Sequence, residues 1–482
     1  MFLNRVAMKH MVLFVFIVNI LAFVVAVTSL RSVYIGDEFN DIPTDEFFLE
    51  KTLPTAFWLA LVLQVSSILF LIILPEQRMW STCILISCIF LAVSMRGILS
   101  FTMSKPYAYD VIKYYVPWMK VWLDEGVQLI PGPSIDTPLL YYYPNTHPLS
   151  FIIAYVFLRM DVPLDFFFIW SPLAIYAIEI CLVYYISMEL SCPGKKFGAM
   201  SAFLFASSTS SQFLTIWYSP QLVGSLFFLV SLLLCLKCSR VRKGNFRVVI
   251  AYAVTCATIF LLVITHHLSS AILILVLAGS FLATIFLKRY GRMQGTCRIS
   301  AFWALYTCAV WYVYASIVYP YKIHDWIINL SLALLGMPQH AYQAVALNNF
   351  LWMPLIDQIS FISFPILIHV FAAYELLKSA KGTSSNLPPV TIGTNGSLFG
   401  LLVLGLVIRG ITYPFRIFEV MYIFNSPLAA KSLIELFLTG RSWKKNLVLV
   451  AVMTLVIFIN THWLFRIVQR TVPSWTSEYW LH

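Results

Sequence analysis

Charge is scarce in this sequence. Asp, Glu, Lys and Arg make up 11% of its 482 residues, against 60% hydrophobic, whereas a soluble domain carries roughly 25% charged residues. That shortage excludes the roughly three soluble domains that length alone would suggest. Mean hydropathy is +0.84, and apolar runs of about 20 residues, each enough to cross a hydrocarbon core of ~30 Å, recur along the chain. The fold class implied is an all-α integral membrane protein, multi-pass, held among membrane lipid.

Other things are missing as well. The 9 cysteines follow no framework spacing. Cys83, Cys88, Cys181, Cys256 and Cys308 lie within or beside apolar runs, as small buried hydrophobes do, so no disulfide scaffold is implied. Cys235 and Cys238 form a C-x-x-C with no second pair nearby, which leaves a zinc site incomplete. The only linker-like stretch, 382–389, is too short to separate folded domains, and no short sequence repeat is present. The net charge of +11 is not a nucleic-acid signature, because the positive residues collect in short loops between apolar runs. That is the positive-inside pattern, and it excludes nucleic acid as the partner.

What is present is a succession of roughly 12–13 transmembrane helices. The first run, near 11–30, follows Arg5 and Lys9 and lacks a small-residue cleavage site, so it reads as a retained helix rather than a signal peptide. Further spans are expected near 54–74, 83–101, 149–158, 166–188, 222–236, 248–265, 268–288, 300–319, 355–377, 398–411, 417–438 and 446–465. Lys and Arg in the short loops put the N-terminus in the cytoplasm and the segment 102–148 outside. The apolar piece 197–205 is short for a crossing, and if it does cross, the five basic residues that follow 222–236 land outside. Read as a half-helix on the outer side, it lets 222–236 deliver Lys237, Arg240, Arg242, Lys243 and Arg247 to the cytoplasm, and a half-helix at membrane depth would itself mark a cavity.

The polar segment from Lys105 to Pro148 is out of character for so apolar a chain. It carries Asp110 among Tyr107, Tyr109, Tyr114 and Tyr115, and ends in Tyr141-Tyr142-Tyr143-Pro144-Asn145-Thr146-His147-Pro148. A carboxylate at a membrane end, partly desolvated by aromatic rings, can accept a proton from a hydroxyl or help to hold a cation; the alternative is a solvated loop acid. His266 and His267 fall at another outer helix end. Imidazole there can bind metal, phosphate or substrate hydroxyls, or can simply hydrogen-bond backbone, and His147 beside Pro148 has the same alternatives. Arg409 and Arg416 flank a third outer turn, where a guanidinium can pair two phosphate oxygens or anchor the helix at the interface. Arg96 and Glu419 are also charged within apolar runs and are given no role.

The segments Asp110-Val111-Ile112-Lys113-Tyr114-Tyr115, Trp122-Leu123-Asp124-Glu125-Gly126 and Tyr142-Tyr143-Pro144-Asn145-Thr146-His147-Pro148-Leu149 resemble, in order and spacing, the first outer loop of GT-C glycosyltransferases. Thr265-His266-His267-Leu268-Ser269-Ser270 is similar to a junction in archaeal members of that superfold. The resemblance implies a GT-C-like core over 81–465 and a long first outer loop with amphipathic helices, with an extra N-terminal hairpin over 1–80 and a short tail over 466–482; the expected lack of a soluble C-terminal domain departs from the oligosaccharyltransferase pattern. It implies sugar transfer from a polyprenyl-phosphate-linked donor to a glycan, lipid or protein acceptor on the extracytoplasmic face. Asp110 would be the base. Arg416 with Arg409 would hold the carrier phosphate, and Tyr143, His147, His266 and His267 would line the sugar site. Oligosaccharyltransferases carry a second acidic motif after the short helix, but Trp217-Tyr218-Ser219-Pro220-Gln221 contains no acid. This departure implies no obligatory cofactor, with a divalent cation, if bound, resting on Asp110 and His266 or His267. The alternative reading is a multi-pass transporter or flippase for a lipid-linked or amphipathic substrate, whose mark would be polar residues near the midplane and paired broken helices.

Overall fold

A computed structural model describes residues 5–33, 53–76, 79–97, 100–101, 115–127, 148–190, 194–208, 218–238, 246–286, 292–318, 355–380, 389–407, 414–439 and 446–461. Every regular element among them is helical, as lipid demands, because only a helix satisfies its own backbone polar groups without water or a closed barrel. Helices α1 (Arg5–Arg31), α2 (Thr55–Ile73) and α3 (Trp80–Arg96) come first. A short amphipathic α4 (Val116–Glu125) precedes α5 (Pro148–Arg159), α6 (Leu164–Leu190), α7 (Lys195–Ala206) and α8 (Pro220–Cys238). The rest are α9 (Phe246–Val263), α10 (His267–Phe286), α11 (Arg292–Val318), α12 (Leu355–Ala380), α13 (Pro389–Val407), α14 (Pro414–Thr439) and α15 (Asn446–Thr461). Among the described residues, five helices are both long and apolar enough to cross a membrane, within α1, α2, α6, α8 and α10.

The N-terminal hairpin is pinned at mid-span. Asn19 Nδ2 donates to the Gln64 carbonyl at 3.2 Å and to Ser67 Oγ at 2.7 Å, all buried. Trp80 Nε1 donates to the Leu71 carbonyl at 2.6 Å and ties α3 to α2. On its other side α2 meets α15, where the Trp58 and Phe458 rings lie 5.3 Å apart and the Ser66 and Thr454 hydroxyls 3.4 Å apart. The two pairings run in opposite directions along the helices, so α15 ends at the level where α2 begins.

Most expected spans coincide with helices, and two boundaries move. Helix α11 opens at Arg292 rather than near 300, and α13 opens at Pro389 rather than near 398. In α13 the early residues Thr391, Thr394 and Asn395 are polar yet buried between helices, so a search for apolar runs passes over them.

Two short helices depart from the roles expected of them. Helix α5 has 12 residues, a length of about 18 Å. Near its start the Ser150 carbonyl accepts the Tyr218 hydroxyl at 2.5 Å, and near its end Phe157 lies 5.5 Å from Phe167. Phe167 and Phe168 themselves meet the Tyr218 ring at 5.0 and 5.6 Å. Both ends of α5 therefore stay at one end of the bundle, and the span expected at 149–158 makes no crossing. A Schellman turn stops it: Asp161 takes φ +61°, Asp161 N–H bonds to Leu158 O, and Val162 N–H bonds to Phe157 O.

Helix α7 turns back along α6 as far as its middle. It begins beside the far half of α6, where Gly198 lies against Tyr184 and Met188. It finishes at Tyr176, whose hydroxyl donates to Phe205 O at 2.8 Å. It also has 12 residues, and all of 198–206 are buried, which a helix shorter than the hydrocarbon core requires. A half-helix is thus present at 197–205, but it starts at the far end of α6 and stops at Tyr176 rather than lying on the outer side. Tyr218, just before α8, lies again beside Phe167 and Phe168 at the start of α6.

Helices α12 and α14 run parallel, since Glu375 pairs with Lys431 and Lys378 with Glu435 one turn further along both. Helices α10 and α13 approach so closely that a Cβ on Gly393 would lie 2.2 Å from the Gly279 carbonyl oxygen. Only glycine allows that contact.

Candidate functional site

One end of the bundle gathers the roots of nearly every segment that the sequence marks. Beyond α3, Ser100 Oγ donates to Ile169 O at 3.0 Å and Phe101 meets Trp170 edge-on at 5.1 Å, which ties the start of the Asp110 segment to the first turns of α6. Helix α4 lies across this end. Its Trp118, Met119 and Trp122 are buried with Tyr115 against Phe151 of α5, with Tyr115–Phe151 centroids 5.2 Å apart and Trp122–Tyr155 6.1 Å apart. Gly126 ends the helix at φ +88°, a conformation that favours glycine, and its N–H returns to Trp122 O at 3.1 Å. The amphipathic, Gly-ended helix expected from the sequence is therefore present.

Tyr218 joins α5, α6 and the entry to α8 here. Its phenol is buried and donates to Ser150 O, two residues beyond Pro148 and three beyond His147 in the sequence. Burial pushes its pKa well up, so it remains a donor. The next residue, Ser219, caps the first turn of α8, its Oγ accepting the Leu222 N–H at 3.1 Å.

His266 enters this end through the turn between α9 and α10. Its Nδ1 accepts the Ser269 N–H at 3.3 Å and lies 2.8 Å from Ser269 Oγ, while its carbonyl accepts the Ser270 hydroxyl at 2.9 Å. This is an N-cap geometry, in which the imidazole replaces the usual Ser or Asp oxygen. His266 packs on α8 where that helix carries no side chain, since a Cβ on Gly224 would lie 2.6 Å from His266 Cβ.

The next residue, Ser225, opens a polar network that was not expected from the sequence. Ser225 Oγ donates to the Glu179 carboxylate, and Glu179 is buried in α6. Arg96 interacts electrostatically with Glu179, lies 3.0 Å over the Tyr176 ring centroid, and donates through Nη2 to Ser208 O at 3.4 Å. Glu179 sits three residues from Tyr176, on the same face of α6. A one-turn spacing of Tyr and Glu inside a long apolar run was the available signal.

Of the expected site residues, His266 is the one whose side chain can be placed. His267 is the first residue of α10 and Arg416 the third of α14. Helix α14 packs along α7 and meets α8 through Phe424 against Phe228, 6.4 Å between centroids. Asp110, Tyr143, His147 and Arg409 lie outside the described residues. Among the described residues no three His, Cys, Asp or Glu side chains converge as metal ligands.

No protein family and no curated protein matches the sequence. Solved structures do match its fold. The Archaeoglobus fulgidus oligosaccharyltransferase in its apo form superposes with a TM-score of 0.55 over 82% of this chain and 56% of that one, at 13% identity. The chain has the GT-C fold. The archaeal oligosaccharyltransferase AglB from Archaeoglobus fulgidus, in complex with an inhibitory peptide and a dolichol-phosphate, gives a TM-score of 0.54 over 81% of this chain and 56% of that one, at 13% identity. The Archaeoglobus fulgidus enzyme complexed with Zn and sulfate gives 0.50 over 80% of this chain and 53% of that one, also at 13% identity. The chain spans a little over half the length of these structures.

Proposed function

We propose that this GT-C protein is a membrane glycosyltransferase that moves a sugar from a polyprenyl-phosphate-linked donor to a glycan, lipid or protein acceptor on the extracytoplasmic face. The observation that carries the reading is the convergence, at one end of a GT-C bundle, of the Ser100–Phe101 root of the Asp110 segment, the Pro148 entry beside His147 and the His266 turn. The archaeal neighbour solved with dolichol-phosphate supports a lipid-phosphate donor. In this reading Asp110 takes the proton from the acceptor hydroxyl as it attacks the anomeric carbon, and the bond to the carrier phosphate breaks. Arg416 and Arg409 stabilise the charge that grows on the departing phosphate, which a fixed cation favours more in the transition state than in the ground state. Tyr143, His147, His266 and His267 line the sugar. The archaeal neighbour complexed with Zn supports a divalent cation here, held by Asp110 with His266 or His267, where it would polarise the phosphate.

The test is mass analysis of cell-surface glycans with and without the protein. A sugar residue lost on deletion and restored by the intact gene supports the reading. An unchanged glycan profile, with altered uptake or lipid asymmetry instead, would favour the transporter.

A further inference from the structure

The Arg96 network does more than fill the bundle. Arg96 is the last residue of α3, and the chain that leads to Asp110 departs immediately after it. Ser208, whose carbonyl it holds, is the last described residue before the segment 209–217. A helix ends with carbonyls that lack intrahelical partners, and a cation there satisfies them and meets the negative end of the helix dipole. In α7 that end is served twice from neighbouring helices, by Arg96 on Ser208 O and by the Tyr176 hydroxyl on Phe205 O, with the Tyr176 and Phe205 rings stacked at 5.3 Å. The guanidinium lies over the Tyr176 ring, and one turn further along α6 Glu179 accepts the Ser225 hydroxyl from α8. Gly224, next to Ser225, is the floor on which His266 rests.

We propose that Arg96 is a positioning residue. It clamps the end of α7 to the root of the Asp110 segment, beside the Glu179–Ser225 hydrogen bond that joins α6 to the helix seating His266. The inference rests on the glycosyltransferase reading for its catalytic consequence, though not for the clamp itself. Arginine is needed because a planar fork can stack on a ring while donating along its edge, whereas a lysine ammonium of the same charge cannot do both. A site whose groups are misplaced by even about 1 Å loses rate on the order of a hundredfold, without losing substrate contacts.

The experiment compares wild type with Arg96→Lys, Arg96→Gln and Tyr176→Phe as full chains in lipid nanodiscs. Hydrogen exchange is followed at the amides of Ser207 and Ser208, and kcat and KM are measured with a panel of polyprenyl-phosphate sugars. The expected result is exchange at least tenfold faster at these two amides in Arg96→Lys, with kcat down tenfold or more and KM within twofold. Tyr176→Phe, which keeps the ring, should show the same pattern more weakly and serves if the Arg96 variants do not fold. Unchanged exchange, or faster exchange with unchanged kcat, overturns the proposal. If wild type transfers no sugar from any donor, the glycosyltransferase reading falls, and the exchange measurement alone upholds or overturns the clamp.

Discussion

Lys431→Met should destabilise the C-terminal half of the bundle far more than Lys378→Met, although each removes one lysine from one ion pair between the same two helices. The Lys431–Glu375 side chains are 3% and 0% exposed, and Ser432 Oγ adds a contact to Glu375 Oε2 at 3.4 Å. The Lys378–Glu435 pair, at 2.5 Å, is 27% and 38% exposed. Water screens the second pair, so its loss costs about 0.2–1 kcal/mol. In the first, removing lysine strands a glutamate among Leu428, Ala372 and their neighbours, and an uncompensated buried charge costs about 3–5 kcal/mol. Replacing both partners with apolar residues, as Glu375→Leu with Lys431→Met, should recover most of that loss, since the expense lies in the orphaned charge rather than in the missing attraction. The assay is reversible denaturant unfolding in mixed micelles, read as a double-mutant cycle. Additive single-mutant effects below about 1 kcal/mol would refute the assignment of this pair to a dry interior.

Three further outcomes follow from the packing. Gly393→Ala places a Cβ 2.2 Å from the Gly279 carbonyl oxygen, so α10 and α13 must separate; a cost of about 1–3 kcal/mol is expected in the same unfolding assay. Gly224→Ala drives a Cβ to 2.6 Å from His266 Cβ, which should displace the imidazole and lower transfer by roughly a hundredfold while the fold survives, as checked by thermal midpoint alongside kinetics. Trp122→Ala empties the centre of the aromatic layer where α4 meets Phe151 and Tyr155. It should cost about 3–5 kcal/mol locally, seen as faster exchange over Val116–Glu125 with the far half of α6 unaffected.

The helices were legible in the sequence wherever burial and hydrophobicity coincide. The span expected at 54–74 is α2 to within a residue at each end and that at 11–30 lies within the longer α1, and Gly126 marked the end of α4 because its positive φ favours glycine. Periodicity could not say how far each of two short apolar pieces travels along the bundle. That was decided by partners distant in sequence, namely Tyr218 for α5 and Tyr176 for α7. The same limit hid Glu179, Glu375 and Lys431, whose charges are tolerable in apolar runs only because other helices supply counterparts. At the candidate site the sequence marked His266, and the structure adds that one of its nitrogens is spent on capping α10. It also moves Arg96 from a charge without a role to the hub of a network.

The account stands or falls on Asp110. Purified protein in nanodiscs, supplied with polyprenyl-phosphate sugars, should transfer sugar to an acceptor, and Asp110→Asn should lower kcat roughly a hundred- to ten-thousand-fold with donor binding retained, as loss of a general base requires. Full-rate transfer by Asp110→Asn would contradict the account.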